Sequence, residues 1–205
     1  MSDRTISAGG VHLAADLVVP AEACGIVVFA QGSGRTSPRN RAVAAHMHHR
    51  ELATLLVDLL TPEETAMHRR VADLRSDAIR FARRLIFVTD ALRDEDAVAG
   101  LDVAYFGTAI GAAAALIAAA HHPDRVKAVV ARSGRPELAI EVLPKVRAAT
   151  LLVVPAADPV LARLNQHAFG YLTCEKELDI VTSVDDIPEL ASSWFAAHLS
   201  PAMIA

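Results

Sequence analysis

The stretch Tyr105-Phe-Gly-Thr-Ala-Ile-Gly-Ala-Ala113 sits where chemistry could be done, and its central residue has the wrong side chain for it. A strand-like run ends near Phe106, a Gly-x-x-x-Gly turn spans Gly107 to Gly111, and an alanine-rich helix follows at once. Flanking glycines permit a sharp strand-to-helix turn that lifts the central side chain into a site. Covalent catalysis there needs serine, cysteine or aspartate, because the bond forms through oxygen or sulfur. Ala109 holds that position and offers neither.

A second unit, Phe29-Ala-Gln-Gly-Ser-Gly-Arg35, is a strand running into a glycine-rich loop. A loop of this kind supplies one backbone N–H to an oxyanion hole, and the residue after the nucleophile supplies another. The donors here would be near Ser33 and at Ile110. Backbone donors survive a change of side chain, so a hole that polarises a carbonyl can persist without the nucleophile.

Asp158, in Pro155-Ala-Ala-Asp-Pro159 just past a strand, has two readings. Shielded from water it would have a raised pKa and serve as a general base; otherwise it caps the helix that starts at Pro159. Arg39 and Arg132 suit bidentate capture of a carboxylate, and Arg132 follows a strand at the edge where such sheets bind ligands. The competing reading for these, and for Arg41 and Arg135, is a structural arginine tying loops to carbonyls or to Asp58. His46, His48 and His49 share one predicted helix, but no carboxylate or cysteine stands at fitting spacing, so no metal is expected and a solvated surface is favoured. No cofactor is implied either.

The elements that must position these residues alternate between β-branched runs and helical stretches, as in a parallel sheet wrapped by helices. A hairpin uses Thr5–Ala8 and Val11–Val19; further strands are Gly25–Ala30, Leu52–Leu60, Leu101–Phe106, Val126–Ala131, Thr150–Pro155 and Glu177–Val181. Helices are expected through Arg50, from Thr61, over Val71–Leu92 and Ala112–His121, and near Pro136–Val142, Pro159–Gly170 and Ile187–Leu199, the last capped by Asp186. Along Val71–Leu92 the apolar residues fall at helical spacing, and Arg75, Arg80, Arg83 and Arg84 mostly take the opposite, solvated face. Residues 1–205 form one domain.

Composition narrows the function classes. The 205 residues are 53% apolar with a mean hydropathy of +0.32, yet no stretch approaches the ~20 apolar residues of a bilayer span. The polar start, Met1-Ser2-Asp3-Arg4, leads to the expectation of a soluble cytoplasmic protein without membrane partners. A net charge of −4 with mixed signs makes no field for nucleic acid. Cys24 and Cys174 read as small buried residues. A small-molecule enzyme or binding domain is left.

Several segments carry a family likeness: Val28-Phe-Ala-Gln-Gly-Ser-Gly34, Ser37-Pro-Arg-Asn-Arg41, Leu52-Ala-Thr-Leu-Leu-Val-Asp-Leu-Leu-Thr-Pro-Glu-Glu64, Phe106–Ala115, Arg132-Ser-Gly-Arg-Pro136 and Cys174-Glu-Lys176. The chain resembles the dienelactone-hydrolase-like branch of the α/β-hydrolases, especially the small hydrolase domains sometimes fused to phosphoribosyltransferases. The resemblance implies a three-layer α/β-hydrolase fold, a mostly parallel sheet with helices on both faces. It also implies a Ser–Asp–His triad and a histidine opening the oxyanion loop.

Against that pattern Ala109 stands at the nucleophile, Gln31 at the loop histidine and Asp158 at the triad acid. The loop after the last strand, Ile180-Val-Thr-Ser-Val-Asp-Asp-Ile-Pro188, contains no histidine, and Asp186 stands at about its place. A divergent protein without a functional triad is therefore expected. It would promote isomerisation, elimination or cyclisation of a small molecule bearing a carbonyl or carboxylate, as a lyase, isomerase or cyclase, with Gln31, Arg39 and Arg132 as substrate contacts. Two alternatives stay open: a catalytically dead ligand-binding or protein-interaction module, and a true esterase carrying an engineered serine-to-alanine change at 109. Exposed alanine-rich helices would permit a homodimer.

Overall fold

The computed structural model describes residues 2–32, 34–68 and 73–199. Eight strands, β1 (Ser2–Ala8), β2 (Val11–Val18), β3 (Gly25–Gln31), β4 (Leu52–Asp58), β5 (Val103–Thr108), β6 (Val126–Arg132), β7 (Ala149–Pro155) and β8 (Lys176–Val181), form one sheet in the order β1-β2-β4-β3-β5-β6-β7-β8. The pairings β1–β2 and β2–β4 are antiparallel; every other pairing is parallel. β3 is buried at every position, as an apolar strand covered on both faces must be. Its side chains alternate between two cores, with Ile26, Val28 and Ala30 in one and Val27 and Phe29 in the other.

Among the described residues six helices, α1 (Pro38–His48), α2 (Pro62–His68), α3 (Leu74–Ala91), α4 (Ile110–His121), α5 (Pro159–Phe169) and α6 (Ile187–His198), accompany the sheet. Phe81 and Leu85 of α3 join the small residues of α4 in the first core. Val43 and Met47 of α1 join Phe195 of α6 in the second. The result is helix, sheet and helix in three layers. The helix expected from Thr61 is closed by a capping box: Thr61 N–H donates to Glu64 Oε2 at 2.9 Å and Glu64 N–H to Thr61 Oγ1 at 3.3 Å.

Several local expectations are corrected. The helix expected near Pro136–Val142 is instead a pair of single 3-10 turns, Pro136–Ala139 and Leu143–Lys145, each with a proline at its start, where the missing N–H and the restricted preceding residue favour short turns. Arg84 is not on a solvated face: it is buried, donating to the Leu59 carbonyl at 2.6 Å and to Glu64 at 2.5 and 2.7 Å. The long helix begins at Leu74 with Asp73 as its cap; Val71 lies outside the described residues. Asp186 does stand at the N-cap of the last helix, as expected, but its side chain makes no cap hydrogen bond. His48 is half-buried, with Nε2 2.7 Å from Thr54 Oγ1. Both cysteines are half-buried rather than fully buried. Among the described residues no helix is long and apolar enough to cross a membrane.

Candidate active site

The strand order reverses between β3 and β5. From β3 the chain passes through α1 to β4 on one side, and from β5 through α4 to β6 on the other. Adjacent parallel strands that send their chains apart leave a crevice at their carboxyl ends, the usual ligand position in open α/β sheets. Gln31 ends β3 and Thr108 ends β5, with Ala109 next.

Ala109 has φ 50° and ψ −119°, a conformation that costs a non-glycine residue about 1–3 kcal/mol. The surroundings enforce it. Its N–H donates to the Arg132 carbonyl at 3.4 Å, and its carbonyl accepts from Ala112 N–H at 3.2 Å and Arg135 N–H at 3.1 Å. A β-carbon on Gly107 would lie 2.6 Å from Ala112 Cα, and one on Gly111 would lie 1.9 Å from the Ala30 oxygen. Both glycines are thus steric requirements of the turn, whose exposed apex is a methyl group. Ile110 begins α4, where an N–H has no partner within the helix.

The apex opens into a cavity of about 320 Å3, lined among others by Gln31, Arg39, Asn40, Thr108, Arg132 and Ser133. Gln31 and Asn40 are both buried. Asn40 Nδ2 donates to Gln31 Oε1 and to the Gly34 carbonyl, the latter at 3.2 Å. Gln31 Nε2 is buried without a partner among the described residues. The loop after β3 is tied down by Asp58, whose Oδ1 accepts from Gly34 N–H at 2.7 Å and Arg35 N–H at 2.9 Å. Asp16 holds the Arg35 guanidinium at 2.7 Å and faces Arg41 at 3.7 Å. Ser33, the expected loop donor, lies outside the described residues.

Arg132 is 8% exposed and forms no side-chain hydrogen bond or ion pair with the described residues. Burial, with the nearby Arg39 charge second, pushes its pKa down. Asp158 is elsewhere. It is exposed, caps α5 by accepting from Leu161 N–H at 2.9 Å, and does not line the cavity. A water-shielded Asp158 base is therefore corrected in favour of a helix cap. Arg135 pairs with Glu137.

Sequence reasoning missed Asn40, Thr108 and Ser133. Ser133 carries a φ of 45°, which nothing local in the sequence announces. Among the described residues no cluster of histidine, cysteine, aspartate and glutamate could hold a metal.

A twisted, mostly parallel eight-stranded sheet between helical layers, with a strained turn between its β5 and the following helix, defines an α/β-hydrolase fold. A cold-adapted esterase from an Arctic intertidal metagenomic library shares that fold, with 12% identity, 97% of this chain and 93% of that one covered, and a TM-score of 0.73. The chain belongs to the dienelactone-hydrolase-like family of this fold. It is 41% identical to the dienelactone hydrolase of Anabaena variabilis, over 97% of both chains at a TM-score of 0.89. Proteins of two Mycobacterium tuberculosis strains, provisionally named phosphoribosyl transferases, are 43% identical over 95% of this chain. The chain spans about half the length of these curated relatives, 46%. No protein-family model matches it.

Proposed function

We propose that this chain is a divergent dienelactone-hydrolase-like protein that works on a small carbonyl compound without forming a covalent intermediate. One observation carries the reading: the apex of the turn presents a methyl group to a polar cavity whose described lining holds two arginines and no histidine or carboxylate. The Ile110 N–H stands ready to polarise a carbonyl, and Arg132 to hold an anionic group on the same molecule. Fixed donors at a developing oxyanion are worth about 10²–10³ in rate without any nucleophile, and orientation adds to this. Isomerisation, elimination or cyclisation is the matching reaction class, with the substrate's own groups or water carrying the proton.

A second reading, ligand binding without turnover, is favoured by one specific feature. None of the described lining residues is an ordinary general acid or base. The two separate by following lactones and oxo-acids by NMR with the wild type and Arg132→Ala. Conversion lost in the variant supports the enzyme; Arg132-dependent binding with no conversion supports the binding module. Ala109→Ser, assayed on simple esters and lactones, is expected to stay within about a thousandfold of background, the residual range of broken triads. Turnover well above that would reinstate ordinary hydrolysis.

A further inference from the structure

We propose that the cavity beside Ala109 is a dianion site that takes a phosphomonoester, held by Arg132, Arg39 and Gln31 at the start of α4. The proposal rests on the reading of this cavity as the working site and names the class of its ligand.

The contrast between two buried arginines is the starting point. Arg84 is 9% exposed and Arg132 is 8% exposed. Arg84 is satisfied internally by Glu64 and the Leu59 carbonyl. Arg132 has no such partner among the described residues. An uncompensated buried charge is strongly destabilising, so a counter-charge from outside the chain is the natural completion. Arg39 lines the same cavity, and its charge adds to the depression of Arg132's pKa. A monocarboxylate neutralises one of these cations; a dianion neutralises both.

Nearby acids are already committed. Asp58 serves the Gly34 and Arg35 amides, and Asp16 serves Arg35 and Arg41. The amide pair adds a donor. Because Asn40 reaches the Gly34 carbonyl, that end of its side chain is the nitrogen, and the Gln31 atom facing Asn40 is therefore the oxygen. Gln31 Nε2 is left as a buried donor without a partner among the described residues. With the guanidinium groups of Arg39 and Arg132 and the hydroxyls of Thr108 and Ser133, the described lining is rich in donors and holds no carboxylate. A helix start favours negative charge, and a phosphomonoester brings three acceptor oxygens and nearly two charges.

The experiment is calorimetric titration of the whole chain with glycerol 3-phosphate and with lactate at matched ionic strength. The variants are Arg132→Ala, Arg132→Met and, as a surface control, Arg83→Ala. Glycerol 3-phosphate is expected to bind at least about tenfold tighter than lactate, a difference well within two charge-assisted contacts. Binding should weaken at least about tenfold in both Arg132 variants, stay unchanged in Arg83→Ala, and strengthen from pH 5 to pH 8 across the phosphate's second ionisation near about 6. Arg132→Met keeps the side chain's bulk and removes an unpaired buried charge, so without ligand it should melt no lower than the wild type.

Lactate binding as tightly as the phosphate, in an Arg132-dependent way, would overturn the dianion proposal while leaving the cavity as the ligand site. Binding of both ligands that ignores Arg132, no binding of either, or weakening equal to that of the Arg83 control would overturn both.

Discussion

The carbonyl oxygen of Ala30 in β3 stands 1.9 Å from where a β-carbon on Gly111 of α4 would fall. No side chain can relieve that approach, because both partners are backbone. Gly111→Ala is therefore expected to push α4 off the sheet and cost more than about 3 kcal/mol, the upper end of overpacking. Urea unfolding monitored by circular dichroism measures it, and a loss under about 1 kcal/mol would contradict the contact.

Ala109 invites the opposite change. Its φ of 50° suits glycine better than alanine, and its exposed methyl group contributes little packing. Ala109→Gly should raise stability by about 1 kcal/mol after allowing for glycine's greater freedom in the unfolded chain. For a domain of this size the melting midpoint should rise by about 2–4 °C.

Glu64 and Arg84 give a pH signature. The Arg84 guanidinium holds the Glu64 carboxyl down at about 2. A folded pKa below the unfolded value of about 4.3 contributes stability that is present above pH ~4.3 and lost as pH falls through about 2. Glu64→Gln should be less stable than wild type at pH 7, because Arg84 stays buried without its ion partner. The two should converge as pH drops from 5 to 2. Denaturant midpoints across that range test the slope.

Asp158 is expected to behave as a cap. Asp158→Ala should lose about 1 kcal/mol and Asp158→Asn much less, since asparagine caps nearly as well. Neither should alter binding at the cavity. A loss of binding or turnover in Asp158→Asn, at unchanged stability, would restore a role in chemistry.

The sheet was legible because its evidence is local. Gly25–Ala30 is an uninterrupted apolar run, and such a run bounded by a turn needs no partner to be recognised as a buried strand. The Thr61 box and the Asp158–Pro159 start were legible for the same reason, since each is completed within four residues. What escaped depends on distant partners. Arg84 lies among arginines that do face outward, and only Leu59 and Glu64, brought in by tertiary packing, make its burial tolerable. Asn40 joins the cavity through a side chain nine residues away. The residues 136–146 carry helical composition but two prolines that cut them into single turns.

The turn at Ala109 separates two tasks that most sites combine. Its backbone is clamped by Arg132, Ala112 and Arg135 through main-chain groups alone, while its side chain projects free of the core. The fold is therefore held by main-chain contacts around position 109, and no core packing depends on the side chain there. The position acts as a socket, in which the reactive group can be exchanged or withdrawn without rebuilding the scaffold. The walls of the cavity stay in place whichever side chain stands at that socket.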